Sequence, residues 1–170
     1  MKIIGFSKVA DEVKMVLKGD SSLLVNRKPF FVPDWSEDIK VTPCIVLRVS
    51  RLGKNIGVRF ADRYYDGVAY GLNMQAADFV AKGDWTRGWA FDYSMVVGTS
   101  TETAADVWQD VNKQLVISCE DAVRLASEVM TIRQGDMIFI DYDVPPRTLQ
   151  REEVITRSID NREVLYCKIK

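Results

Sequence analysis

The stretch KVTPCIVLRVS, residues 40–50, constrains the fold of this chain more than any other, because a long run rich in β-branched and apolar residues reads as a buried strand. A strand needs partners, and the rest of the sequence supplies candidates. MKIIGF opens the chain as a strand, SLLV turns through NRKP into FFVP, VAYGLNM and MIFIDY are short apolar strands, and EEVITRSIDNREVLYCKIK reads as two strands joined by a tight hairpin at Asp160–Asn161. Two helices are expected. The first is capped by Ser7, carries Val9, Val13, Val16 and Leu17 on one face and is closed by Gly19; the second is SCEDAVRLASEVMTI, with Ser118 as its cap and Asp121 placed to answer it. RLGKN reads as a turn with Gly53 at a positive φ. Strands outnumber helices and their spacing repeats no βαβ unit, so the expected class is α+β, mainly β, in a mixed and largely antiparallel arrangement over residues 1–170 as one domain.

Composition narrows the chemistry. A chain that is 47% hydrophobic and 28% charged can bury a core and is not disordered. Lysine plus arginine (23) nearly balance aspartate plus glutamate (24), so no overall field draws the chain to nucleic acid or to a membrane surface. Apolar runs are too short to span a bilayer and the N-terminus becomes charged too early for a signal peptide, which leads us to expect a cytoplasmic protein. Cys44, Cys119 and Cys167 lack CxxC spacing and suit reduced thiols; Cys44, between TP and IVL, reads as a buried strand thiol. The chain has no histidine, which removes Ser-His and Cys-His nucleophile pairs and most zinc sites. Any catalysis must rest on carboxylates, lysine, tyrosine or a hard metal.

One segment looks like an active-site approach without its charges. VRFADRYYDGVAYGLNMQAADF, residues 58–79, runs from a basic, aromatic helix into an apolar strand and then a turn. In that turn Asn73 and Gln75 are neutral amides, and Asp78 is the one acid. Further along, Trp85, Trp89 and Phe91 form an aromatic cluster that suits a core or the wall of an apolar ligand site.

NRKPFFVPDWSEDI, VLRVSRLGKNI, RFADRYYDGVAYGLNMQAAD, WAFDYSMVVG and MTIRQGDMIF resemble, in order, the successive motifs of the fumarylacetoacetate hydrolase family, particularly its short bacterial members. The resemblance implies a mixed β-sandwich roll, a homodimer, a bound Mg²⁺ or Mn²⁺, and action on acylpyruvates or related oxo acids. It also exposes departures. The family's acid-x-acid pair falls on Thr42 and Cys44, its third metal acid on Asn73, its substrate arginine on Ala77, its lysine on Trp89 and its turn threonine on Tyr142. Hard divalent cations take oxygen ligands with carboxylate charge, so the expectation is a vestigial pocket without metal, cofactor or catalytic residues. The chain then reads as a degenerate member, a pseudoenzyme or binding module that forms a homodimer or pairs with an active relative and that takes a small-molecule ligand, with no nucleic acid or membrane partner. The alternative is a divergent hydrolase, or an isomerase or decarboxylase, acting on a small 2-oxo acid through Asp78, Asp141 or Asp143.

Overall fold

A computed structural model of the chain describes residues 1–25, 27–99 and 115–170. Residues 39–49 form the long strand expected from their composition, β4 (Ile39–Val49), after β1 (Ile3–Val9), β2 (Glu12–Lys18) and β3 (Leu23–Val25) and ahead of β5 (Tyr65–Ala76), β6 (Met95–Val97), β7 (Met137–Asp141) and β8 (Arg147–Thr148). These make an eight-stranded sheet in the order β2-β1-β7-β4-β5-β6-β3, with β8 paired to β4. Two neighbour pairs, β1 with β7 and β3 with β6, are parallel; the other pairs are antiparallel. The closing hairpin, β9 (Val154–Ile159) and β10 (Arg162–Lys168), forms a second small sheet and turns through Asp160 and Asn161, both at positive φ, as their Asp-Asn sequence leads one to expect. Short helices α1 (Ala77–Val80) and α2 (Trp85–Trp89) and the longer α3 (Cys119–Val129) complete the described elements. This is an α+β, mainly β architecture.

The sheet curls. Lys18 on edge strand β2 bonds the carbonyl of Met74 on β5, four strands away in the sheet order. Four strand spacings on a flat sheet come to about 19 Å, far beyond the reach of a lysine, so the edges must roll toward each other. Rolling gives the sheet an outer and an inner face. The outer face carries Ile4, Phe6, Ile45, Leu47, Leu72 and Ile140, in one buried cluster with Cys119, Ala122, Val123 and Ala126 of α3, which recur at helical spacing. Each such side chain, fully buried, contributes on the order of 1.5–3 kcal/mol. The inner face is crowded: a Cβ on Gly5 would lie 1.8 Å from Phe139 Cζ, so only glycine lets that ring cross β1. Helix α3 begins as expected, with the Ser118 hydroxyl accepting from the Asp121 N–H at 3.1 Å.

Four local expectations are corrected. Residues 7–19 form no helix: β1 and β2 make a hairpin through Ala10 and Asp11, both at positive φ. The supposed helical face does not hold together, since Leu17 is 48% exposed while its neighbours Val16 and Lys18 are buried, the alternation of a strand. Gly53 does not take positive φ, which falls on Asn55; glycine is needed because a Cβ would lie 2.6 Å from both Ile56 Cδ1 and Tyr64 Cε1. FFVP is no strand, although Phe30 makes an isolated parallel bridge to Ile169; the turn before it contains Arg27 at positive φ, with Asn26 outside the described residues. Finally, the basic helix is a 3-10 helix over Val58–Tyr64, and β5 runs on to Ala76, so Asn73 and Gln75 sit within a strand rather than in a turn after it. No helix among the described residues is long and apolar enough to cross a membrane.

Candidate functional site

Strand register brings most of the singled-out positions to one face. Thr42 lies opposite Asn73 on β5, and Cys44 lies opposite Asp141 on β7. Successive strand residues point to opposite faces, so Thr42, Cys44, Asn73 and Asp141 all turn inward. Asn73 Nδ2 donates to both Asp141 oxygens, at 3.0 and 3.2 Å, and to Ser7 Oγ at 3.0 Å; Ser7 Oγ in turn donates to Asp141 Oδ2 at 2.5 Å. This holds the Asp141 carboxyl, 3% exposed, in one orientation. Asn73 Oδ1 is sealed from solvent and has no partner among the described residues.

The same interior holds a lysine. Lys18 is 1% exposed, and its ammonium donates to Met74 O, Ser94 O and Ser94 Oγ, each at 3.0 Å. Three donors meet three acceptors, which completes the hydrogen bonding of an ammonium. Trp89, Phe91 and Phe139 surround it, with ring centroids 5.7–5.9 Å from Nζ. Burial pulls Lys18 down to about 7, against the opposing pull of Asp141. Burial pushes Asp141 up to about 7, with the hydrogen bonds from Ser7 and Asn73 and the charge of Lys18 working the other way. Cys44 is pushed well above the ordinary thiol range by burial and by Asp141, which leaves it an inert packed thiol.

Above this floor opens a cavity of about 430 Å³ whose walls include Lys8, Thr42, Gln75, Trp89, Asp141 and Tyr142. Trp89 arrives from the end of α2, started by Asp84, whose side chain accepts from the Arg87 N–H at 3.1 Å. Tyr142 and Asp143 follow directly on β7, and Asp143 at the mouth accepts from Lys8 Nζ at 2.9 Å. Cys44 and Asn73 lie beneath the cavity rather than in its wall, and Ala77, at the start of α1, is outside it with its N–H bonded to Asp38 O. Asp78 is also elsewhere, accepting from Ser36 Oγ at 2.7 Å. The aromatic cluster divides: Trp85 and Trp89 line a second cavity of about 490 Å³ beside β2, while Phe91 packs edge-on against Trp35.

Sequence reasoning missed Lys18 and the site role of Ser7. Both lie within the segment expected as the first helix, where Ser7 reads as a cap and Lys18 carries no role. Their signal was the period-2 placement of Val16 and Lys18, visible only once the segment is taken as a strand.

A divalent cation of the kind the resemblance implies does not fit this donor set. Among the described residues no three His, Cys, Asp or Glu side chains gather to hold a metal. At the positions in question stand a hydroxyl, a thiol and an amide whose N–H side faces Asp141, the lone carboxylate of the buried network, while an ammonium already occupies the same interior.

No protein-family model matches the chain and no curated protein matches it by sequence. Solved structures do match. A fumarylpyruvate hydrolase from Pseudomonas aeruginosa, in complex with Mn²⁺ and pyruvate, is 16% identical and superposes with a TM-score of 0.80 over 99% of this chain and 88% of that one. A 5-carboxymethyl-2-hydroxymuconate delta-isomerase from Mycobacterium smegmatis is 14% identical with a TM-score of 0.83, over 99% and 78%. A 2-hydroxyhepta-2,4-diene-1,7-dioate isomerase from Mycobacterium marinum is 16% identical with a TM-score of 0.81, over 99% and 73%. The resemblance first carried by five short motifs thus holds at the level of the whole fold: this chain has the fold of the fumarylacetoacetate hydrolase family.

Proposed function

We propose that this protein keeps the fold of the fumarylacetoacetate hydrolase family without its metal-dependent chemistry, and serves as a binding module whose cavity takes a small molecule. One observation supports the reading above others: Asn73 turns an N–H, not a lone pair, toward the buried Asp141 carboxyl, and the Lys18 amine is held in the same interior on three oxygens. A metal would have to displace or repel both. Ala77 and Trp89, at the positions where the resemblance implies an arginine and a lysine, offer no charge to a substrate carboxylate. Three free buried thiols suit a reducing, cytoplasmic setting, and we read the protein as a homodimer or as the partner of an active relative. Light scattering should then give about twice the 19.3 kDa chain mass for the protein alone.

The second reading, a divergent hydrolase or isomerase on a small 2-oxo acid, is favoured by one feature. Asp141 lines the cavity with its proton affinity near neutrality, as a general base requires. Turnover separates the two. Loss of a single oxyanion donor costs about 2.7–4 kcal/mol in the transition state. With acylpyruvate or oxaloacetate and millimolar Mg²⁺ or Mn²⁺, the protein should therefore match buffer. A rate near one per second, as about the low end of ordinary enzymes, abolished by EDTA, would overturn the non-catalytic reading.

A further inference from the structure

Resting on the reading of the cavity as a ligand site, we infer that its ligand is a small cation: an apolar or aromatic body bearing a primary amine, not a carboxylate. The charges in its wall set the sign. Asp141 stands at the floor, Asp11 and Asp143 stand nearer the mouth, and the cation among the lining residues is Lys8, whose Nζ is already taken by Asp143 at 2.9 Å. Among the described residues no arginine lines the cavity. A carboxylate entering it would meet three carboxyl groups with no bidentate partner, whereas an ammonium would meet acceptors.

A second, independent observation points to a ligand. Thr42 and Gln75, 3% and 6% exposed, line the cavity, and their side chains make no hydrogen bond among the described residues. Neither group is among the polar atoms sealed from solvent, so both face the open cavity, where a ligand's N–H groups can take the place of water. Both stand on the same inward face as Asp141, because Thr42 is two residues from the Cys44 that pairs with Asp141, and Gln75 is two residues from the Asn73 that pairs with Thr42. Asp141 itself is held but not saturated. Oδ2 takes the 2.5 Å bond from Ser7 and the 3.0 Å bond from Asn73, while Oδ1 has only the 3.2 Å bond from Asn73, so a carboxylate with room for about four hydrogen bonds keeps acceptor capacity for the cavity.

The remaining groups fit the body of such a ligand. Trp89, Val144, Pro145 and Pro146 give it apolar walls, and 430 Å³ lies within the range of about 300–1,000 Å³ that small-molecule sites occupy. Lys18 does not reverse the sign, because its ammonium is spent on three oxygens and does not line this cavity.

Three probes of nearly equal shape test the inference: benzylamine, benzyl alcohol and benzoate, titrated against the tryptophan fluorescence and by ligand-observed NMR. Benzylamine should bind about tenfold or more tightly than either of the others, the scale of one charge-assisted contact. Asp141→Asn should abolish most of that preference. Because Asp141 is buried, Asp143→Asn at the half-exposed mouth serves as a variant that does not threaten folding: it frees Lys8, and should weaken benzylamine and strengthen benzoate, each by a few-fold, about what one partly solvated charge supplies. Benzoate binding as tightly as benzylamine, a preference untouched by both substitutions, or no binding by any of the three would each overturn the inference. Oxo-acid turnover would instead overturn the non-catalytic reading and leave the amine preference standing.

Discussion

One face of the eight-stranded sheet is closed by Ile4, Phe6, Ile45, Leu47 and Ile140, while the other carries Ser7, Lys18, Thr42, Asn73, Gln75 and Asp141 among its apolar neighbours. Both faces are buried. On the outer face any well-shaped hydrocarbon does the work, because burial is non-directional and scales with area. On the inner face each polar group loses water and must find a partner of matching type and direction. Ser7, Asp141 and Lys18 find theirs within the fold, and Asn73 does so through Nδ2 alone, whereas the side chains of Thr42 and Gln75 make no hydrogen bond among the described residues and face the cavity. The outer face therefore specifies stability, and the inner face holds groups that stability alone does not explain.

The contrast can be broken most visibly on the outer side. Leu47 is fully buried in the outer-face cluster, and Leu47→Ala should cost about 2–5 kcal/mol in urea denaturation, by lost transfer energy and a residual cavity. A loss under about 1 kcal/mol would mean that this face is not the packed core described here.

The inner face should respond to pH instead. Asp141 has its folded value raised from 3.8 to about 7, so the folded state binds the extra proton between those values, and this contribution to stability is present at low pH and lost as pH rises toward 7. Lys18 has its folded value lowered from 10.5 to about 7, so the unfolded state binds more protons above 7, and stability recovers as pH rises from 7 toward 10. Cys44, the other titratable group in contact with this network, is neutral across that window. Subtracting variant from parent isolates the two limbs: Asp141→Asn should flatten the fall on the acid side and Lys18→Met the rise on the alkaline side. Difference curves without slope on either side would show that neither group carries a buried charge.

The smallest effect is expected at Thr42. Its hydroxyl makes no hydrogen bond among the described residues and faces the cavity, so Thr42→Val should leave stability within about 0.5 kcal/mol of the parent or raise it slightly. A loss above about 1.5 kcal/mol would reveal a hydrogen bond that the geometry does not contain.

How far the sequence could be read depended on whether the controlling contacts are local. Two hairpins make the point, since both turn through two residues at positive φ. Asp160–Asn161 announces such a turn chemically, and the C-terminal hairpin was legible; Ala10–Asp11 does not, because alanine has no side-chain reason to accept that conformation, and the valines around it also suit a helical face. The long strand, α3 with its Ser118 cap and the mainly β class followed from local pattern. Within the site, the inward grouping of Thr42 and Asn73 followed from the motif resemblance, but Lys18 did not. Its place depends on the curl of a sheet that brings β2 over β5, and no window of sequence contains that fact.

The parallel pairing of β1 with β7 sets the order in which this molecule can be made. Ser7 and Asp141, like Lys2 and Asp136, are partners 134 positions apart, so a ribosome must release nearly the whole chain before either contact exists. Until then β1–β2 and β4–β5 can form as separate antiparallel pairs, with the gap that β7 will fill flanked by two open strand edges. Long-range pairings of this kind slow folding to about milliseconds or longer. A fragment ending before Met137 would keep those edges permanently, and would offer them to its neighbours in place of the missing strand.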